Sequence, residues 1–274
     1  MTNPSISFIG GGNMAHSLIG GLIADGWPTD RIHVTDTNPE PLTHLAERFG
    51  VATGSDNGAA AGQADVIVLA VKPQAMRTVA GDIAAAVQAR RPLVISIAAG
   101  IRSADLDRWL GDNNAIVRCM PNTPALVQSG ATALFANARV GDTQRDLAEN
   151  ILRAVGLTLW LDDEQLMDAV TALSGSGPAY FFLIMEALQA AGVQLGLPEQ
   201  TARLLTLQTA FGAAKMTLES DEDAATLRQR VTSPGGTTER ALQVLDDGGL
   251  RELIARALAA ARDRSRELAD QLGN

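Results

Sequence analysis

The chain has 274 residues, a formal net charge of −9 at pH 7 and 46% hydrophobic residues. This hydrophobic fraction excludes a disordered chain, and the negative charge without a basic tract argues against a nucleic-acid partner. The lone cysteine, Cys119, excludes an internal disulfide and favours a reducing compartment, so we expect a cytoplasmic protein.

The first part of the chain, to about residue 162, alternates β-rich runs with helical ones. Continuous apolar runs are typical of strands that are covered on both faces of a sheet. The alternation predicts an α/β fold with a Rossmann-like, doubly wound parallel sheet. The predicted strands are 5–10, 31–36, 65–71, 92–97 and 114–120, and the predicted helices include 13–25 and 39–49, the second with Asn38 as its N-cap.

Beyond residue 162 the strand signals fade and helical patterns take over. The predicted helices are 179–195, 199–218, 237–245 and 250–272. The first two are apolar nearly all round, so they must be covered on most sides. We therefore expect domain 1–162 to bind a dinucleotide, and domain 163–274 to be an all-α domain that forms a homodimer or a larger homo-oligomer. The apolar run 180–197 contains Glu186 and is short for a membrane span, so no membrane partner is expected.

A glycine pattern follows the first predicted strand. Gly10, Gly12 and Ala15 form a G-x-G-x-x-A sequence between this strand and a helix. This is the dinucleotide fingerprint: Gly10 makes the tight turn, Gly12 admits the pyrophosphate to the helix N-terminus, and Ala15 allows close packing. The alternative is a glycine-rich turn without a ligand.

Asp36 ends the second predicted strand and has two interpretations. It can accept hydrogen bonds from the adenosine ribose, which favours NADH, or it can cap the turn before Asn38 and Pro39. No arginine or lysine lies between Thr35 and Leu42 to bind a 2′-phosphate.

A second glycine pair lies near the C-terminus, in Ser233-Pro-Gly-Gly-Thr-Thr. Glycines allow a backbone to approach a ligand closely, and the helix that follows offers unpaired N–H groups to an anion. The hydroxyls of Ser233, Thr237 and Thr238 add donors at the same place. This segment therefore predicts a site for a small carboxylate or phosphate.

Three further strings accompany these two glycine segments: Ala70-Val-Lys-Pro-Gln, Met120-Pro-Asn-Thr-Pro-Ala-Leu-Val and Leu173-Ser-Gly-Ser-Gly-Pro-Ala-Tyr. Together the five segments resemble pyrroline-5-carboxylate reductase over nearly the whole chain. The resemblance implies an oxidoreductase that acts on a C=N bond. It would reduce the cyclic imino acid 1-pyrroline-5-carboxylate to L-proline with NADPH or NADH, the last step of proline biosynthesis.

The resemblance also assigns site residues, and it implies an active site in the cleft between the domains, where a partner subunit can supply the helical part. For the substrate carboxylate it implies Ser233, Gly236, Thr237 and Thr238. For the cofactor it implies Gly10, Gly11, Gly12, Asn13, Met14, Asp36, Asn57, Ala70, Val71, Lys72, Pro73, Ile97, Ala98 and Ala99, with Asn122 and Thr123 flanking the reacting ring.

Reduction of a C=N bond by hydride transfer does not require an acidic or basic side chain of the protein. A protonated imine already carries positive charge, so no strong acid is obligatory, and we expect Thr238 to hydrogen-bond the imine nitrogen. Lys72 either approaches the cofactor or is a solvated lysine, and Glu164 either reaches the cofactor or is a charged linker residue. No metal is expected, because the three histidines lack metal-ligand spacing.

Two other functions remain open from the sequence. A β-hydroxyacid dehydrogenase or another cyclic-imine reductase shares the plan of a Rossmann domain followed by helices. The dehydrogenases place a catalytic lysine on the helix that follows a glycine-rich turn, whereas 179–186 has none. A non-catalytic dinucleotide-binding scaffold would keep the first glycines and could lose the second site.

Overall fold

The computed structural model describes residues 3–273, so the ends of the two predicted domains at 1–2 and 274 lie outside the described residues. The described chain forms two compact units. The first contains residues 3–176 together with 261–273, and the second is Gly177–Ala260.

The first unit contains one eight-stranded sheet in the order β3-β2-β1-β4-β5-β6-β7-β8. The order of the first six strands is that of a dinucleotide-binding fold. Every neighbouring pair is parallel except β6 and β7, which are antiparallel. The strands are β1 Ile6–Ile9, β2 Ile32–Thr35, β3 Ala52–Gly54, β4 Val66–Leu69, β5 Leu93–Ser96, β6 Ala115–Met120, β7 Gly130–Ala136 and β8 Gly156–Trp160.

Helices cover both faces of this sheet, as its continuous apolar strands require. On one face Phe8 and Val68 pack with Leu18 of the first helix, and on the other Ile67 packs with Ile83 of the fourth. The helices of this unit are α1 Asn13–Ala24, α2 Pro39–Phe49, α3 Asn57–Gln63, α4 Pro73–Arg90, α5 Ser103–Trp109, α6 Asp142–Arg153 and the short α7 Met167–Val170.

The second unit is helical. It contains α8 Gly177–Gln194, α9 Glu199–Glu219, α10 Ala224–Arg230, α11 Thr237–Asp247 and the first part of α12 Leu250–Gly273. Many large apolar side chains of α8 and α9 are exposed, among them Phe181, Phe182 and Phe211 at 62–64%. None of the described helices is long and apolar enough to span a membrane.

The predicted fold class is confirmed, with differences in detail. The sheet is not wholly parallel, because β7 runs antiparallel to β6. The five predicted strands and the predicted helices are present, and Asn38 caps α2 by accepting from the Glu40 N–H at 3.1 Å. The strands β3, β7 and β8 are additional.

The compact units also differ from the predicted division at 162/163. Residues 163–176 pack with the sheet unit, where Glu164 pairs with the buried Arg118 at 3.0 Å and Met167 is buried. The end of α12 returns to the same unit, where Ala269 is 1% exposed. Both segments are held by contacts between residues distant in sequence, which a local pattern does not reveal.

Candidate functional site

Gly10 fixes the first glycine loop against the sheet. Its φ of 106° lies in the region that favours glycine, and a Cβ there would lie 2.6 Å from the Ala70 carbonyl oxygen. Its N–H donates to the Thr35 carbonyl at 2.7 Å. The loop is therefore held between the ends of β1, β2 and β4.

Gly12, unlike the tightly packed Gly10, has open space beside its Cα. It precedes α1 as its N-cap, with φ −71° and ψ −176°, and a Cβ there would have no atom within 4 Å. No described side chain caps α1, so the N–H groups of its first turn remain available to a ligand. A pyrophosphate fits here because the helix terminus supplies both donors and a positive dipole end.

Asp36 caps the backbone of two turns. Its Oδ2 accepts from the Gly11 N–H at 2.7 Å, and its Oδ1 accepts from the Asn38 N–H at 2.8 Å. The turn-capping interpretation is confirmed, and the same carboxylate also fixes the glycine loop. The ribose contact stays a prediction.

The other predicted cofactor residues follow the carboxyl ends of neighbouring strands, so the topology brings them to one edge of the sheet. Lys72 is exposed and precedes α4, which begins at Pro73. Asn57 begins α3, and its Oδ1 accepts from the Thr35 hydroxyl at 2.6 Å. At this edge Gly10–Met14 follow β1, Ala70 and Val71 follow β4, Ile97, Ala98 and Ala99 follow β5, and Asn122 and Thr123 follow β6.

Asn122 is tied to its surroundings on both sides of its amide. Its Nδ2 donates to the Ser174 hydroxyl at 3.2 Å, and its Oδ1 accepts from the Ala131 N–H at 2.9 Å. The side chain therefore links the β6 end to the Ser-Gly-Ser-Gly segment, an arrangement that the sequence did not predict.

A cavity of about 460 Å³ adjoins the glycine loop between α1 and α2. His16, His44 and Arg48 line it, and none of the three is among the cofactor residues predicted from the sequence. Burial first, and then the nearby Arg48 and His44, lower the pKa of His16. These surroundings therefore favour the neutral form of His16. The i, i+4 spacing of His44 and Arg48 on α2 was a usable signal for a shared face.

The second glycine segment forms a tight turn before α11. Gly235 has a φ of 71°, and the Gly236 N–H donates to the Ser233 carbonyl at 3.0 Å. Gly236 is the N-cap of α11, so the N–H groups of Thr237 and Thr238 have no intrahelical acceptor. The structure thus brings Ser233, Gly236, Thr237 and Thr238 together at one helix N-terminus.

Glu239 is an acidic member of this turn that sequence reasoning missed. Its Oε2 accepts from the Gly235 N–H at 2.7 Å. An acidic residue in the first turn of a helix is a known stabilising pattern, so its position in the sequence could have indicated this contact. A carboxylate already interacts with this turn in the structure.

Glu164 is part of a buried network at the start of α5. Its Oε1 accepts from the Ser103 N–H at 2.7 Å and from Arg118 at 3.0 Å, and its Oε2 accepts from the Ser103 hydroxyl at 2.6 Å. It joins β6, α5 and the segment before α7. These contacts are neither of the two roles expected for Glu164.

Cys119 lies in β6 with 1% of its surface exposed, and burial raises the pKa of its thiol. It is therefore an inert, protonated core residue. Within residues 3–273, no group of three or more His, Cys, Asp or Glu side chains is placed to hold a metal ion.

Comparisons with known proteins agree with this arrangement. Residues 164–268 match the family model described as pyrroline-5-carboxylate reductase dimerisation, and residues 5–100 match that described as NADP oxidoreductase, coenzyme F420-dependent. The pyrroline-5-carboxylate reductase of Pseudomonas aeruginosa is 53% identical over 273 residues, with 100% of each chain covered.

The chain belongs to the pyrroline-5-carboxylate reductase family. Two solved structures of the family are similar over nearly the whole chain. The reductase from Coxiella burnetii is 51% identical with a TM-score of 0.93, covering 97% of this chain and 98% of that one. The Plasmodium falciparum reductase, solved with NADP bound, is 30% identical with a TM-score of 0.87, covering 98% and 99%. Membership in the pyrroline-5-carboxylate reductase family decides against the β-hydroxyacid dehydrogenase alternative.

Proposed function

We propose that this chain reduces 1-pyrroline-5-carboxylate to L-proline with NADPH or NADH, the last step of proline biosynthesis. The observation that carries the proposal is the turn at 233–238, which offers a carboxylate two free backbone N–H groups and three hydroxyls in a chain that also has a dinucleotide loop. A scaffold that only binds dinucleotides has no need of the second site. Hydride transfer between a nicotinamide and a small imino acid needs both.

The residues of the sheet edge fit the cofactor. The open space at Gly12 allows a pyrophosphate to reach the N-terminus of α1. The rest of the dinucleotide lies along the carboxyl ends of the strands. Asp36 fixes the glycine loop by accepting from the Gly11 N–H, and its carboxylate oxygens can accept further hydrogen bonds from the ribose hydroxyls. The nicotinamide supplies the hydride, and the protein contributes positioning and electrostatics.

The helix terminus of α11 fits the substrate carboxylate. The N–H groups of Thr237 and Thr238 donate to the carboxylate of the imino acid, and the hydroxyls of Ser233 and Thr238 donate to the same carboxylate. Thr238 also hydrogen-bonds the imine nitrogen, directly or through water. Since the protonated imine carries its own positive charge, this contact orients the ring and no acidic side chain has to supply the proton.

Glu239 shares this helix terminus with the substrate. Its carboxylate holds the Gly235 N–H, so the substrate uses the donors on the α11 side of the turn. Glu239 is exposed, so solvent and salt weaken its repulsion of the substrate carboxylate.

Replacing Thr238 with alanine is expected to lower kcat/KM for the imine by about tenfold or more, because one hydrogen bond to a charged group is lost. The dissociation constant for NADPH or NADH should stay the same, since Thr238 belongs to the substrate turn. The matched control is Thr238→Ser, which keeps the hydroxyl and should keep most of the activity. Unchanged imine kinetics in Thr238→Ala would remove this residue from the site.

We also propose that the chain forms a homodimer through its helical unit. Larger homo-oligomers are compatible with this dimer. The exposed phenylalanines of α8 and α9 support this assembly, because an apolar surface of this extent is unusual on a monomer. The cytoplasm is the proposed location, consistent with a reduced, buried Cys119.

A further inference from the structure

The last part of the chain, residues 261–273, packs against the sheet unit, although residues 250–260 of the same helix belong to the other unit. Ser265 is 5% exposed and Ala269 is 1% exposed, so two positions one helical turn apart are buried. Terminal segments are usually poorly ordered unless something holds them. We call residues 261–273 the C-terminal segment.

The C-terminal segment contacts the loop between β5 and α5. Gly100 of that loop has a φ of 73°, and a Cβ there would lie 3.6 Å from Leu272 and 3.7 Å from the Ala269 nitrogen. Leu272 packs against the buried cluster that contains Ala98 and Ile101. The loop therefore lies directly against the end of α12.

Polar contacts reinforce this packing. Arg102 of the loop pairs with Asp270 at 2.5 Å, and Asp270 raises the pKa of that guanidinium. Arg108 of α5 donates to the Gly273 carbonyl at 2.6 Å. The loop and the helix that follows it are thus held by the last residues of the C-terminal segment, 269–273.

A second segment holds the same loop from the other end. Glu164 accepts from both the N–H and the hydroxyl of Ser103, the first residue of α5. The Ser265 hydroxyl then donates to Asp168 at 2.7 Å, which ties the C-terminal segment to the segment that carries Glu164. The β5–α5 loop is therefore fixed by two chain segments that are also bonded to each other.

We propose that the C-terminal segment is a positioning element for the cofactor, because it sets the place of Ile97, Ala98 and Ala99 in the β5–α5 loop. This inference rests on the proposed function, which places the dinucleotide along the strand ends that these three residues follow. The segment touches neither reactant and acts only through the loop.

Removal of one hydroxyl tests the inference with little disturbance. In Ser265→Ala, Oδ1 of Asp168 loses the hydroxyl that donates to it, and only the longer pair between Oδ2 and Arg266, at 3.8 Å, still links Asp168 to the C-terminal segment among the described residues. The C-terminal segment should therefore detach more often. Amide hydrogen exchange at 97–106 of the ligand-free chain should become faster by about tenfold. The dissociation constants for NADPH and NADH should rise by about three- to tenfold, with the imine KM at saturating cofactor unchanged.

Two further variants make the result decisive. Leu272→Ala removes the apolar contact on the loop and should act in the same direction. Arg264→Ala is the matched control, because Arg264 is exposed on the same helix and, among residues 3–273, its one ion pair is with the exposed Glu267. It should change neither the exchange rates nor the cofactor affinity.

Either of two results would overturn the inference: unchanged exchange at 97–106, or faster exchange with unchanged cofactor affinity, which would mean that the C-terminal segment only stabilises the fold. If Leu272→Ala does not fold, Ser265→Ala decides alone. If the wild-type chain oxidises neither cofactor, the proposed function falls, and the exchange rates still decide whether the segment holds the loop.

Discussion

Replacing Gly12 with alanine is expected to raise the dissociation constant for NADPH and NADH by at least about tenfold, while the protein stays folded. The added Cβ meets no atom of residues 3–273 within 4 Å, and the backbone at φ −71° accepts any residue. It points into the open space at the N-terminus of α1, where we place the pyrophosphate. Titration of protein fluorescence with each cofactor measures the loss.

Gly141 provides a closely matched control. It is also a helix N-cap, of α6, with φ −83° and no atom within 4 Å of a Cβ. Both substitutions should lower the free energy of unfolding by the same small amount, about 1 kcal/mol or less, because alanine is a poorer N-cap than glycine. Only Gly12→Ala should lose cofactor. Equal affinity in the two variants would contradict a pyrophosphate at Gly12.

Replacing Phe182 with glutamate is expected to dissociate the homodimer. Phe182 lies on α8 with 64% of its surface exposed in the single chain, among other exposed apolar residues of that helix. Burying an unpaired carboxylate in an apolar interface costs several kcal/mol, so the dimer dissociation constant should rise by about a hundredfold or more. Sedimentation velocity at micromolar protein concentration measures the change.

Phe182→Leu is the control for this experiment, since it keeps an apolar side chain and should remain a dimer. A wild-type chain that sediments as a monomer would contradict the proposed assembly. So would Phe182→Glu sedimenting as the wild type does, because α8 would then lie outside the interface.

The sequence predicted the parts of the fold that depend on short-range patterns. The apolar runs at β4 and β5, the glycine turn before α1 and the Asn38 cap of α2 all have local signatures, and all are present. The strands β7 and β8 were missed. Leu157 and Leu159 of β8 are exposed, so that strand lacks the continuous buried run that identified the others.

In the candidate sites, too, only features with a short-range sequence pattern could be predicted. Both glycine segments could be found from the sequence, because glycines and helix starts carry a local signal. The Glu164 network and the return of the chain at Ser265 could not be found, because their partners lie 46 to 97 residues away in the sequence. The sequence did not decide between the two interpretations of Asp36, because Gly11, whose N–H it accepts from, lies 25 residues earlier.

The most direct test of the central claim is a turnover assay with purified protein, 1-pyrroline-5-carboxylate and either reduced cofactor. The absorbance of the nicotinamide is followed together with the amount of proline formed. The account predicts that at least one of NADPH and NADH is oxidised only when the imine is present, with one proline formed for each cofactor consumed. Oxidation of neither cofactor, or oxidation without proline, would contradict it.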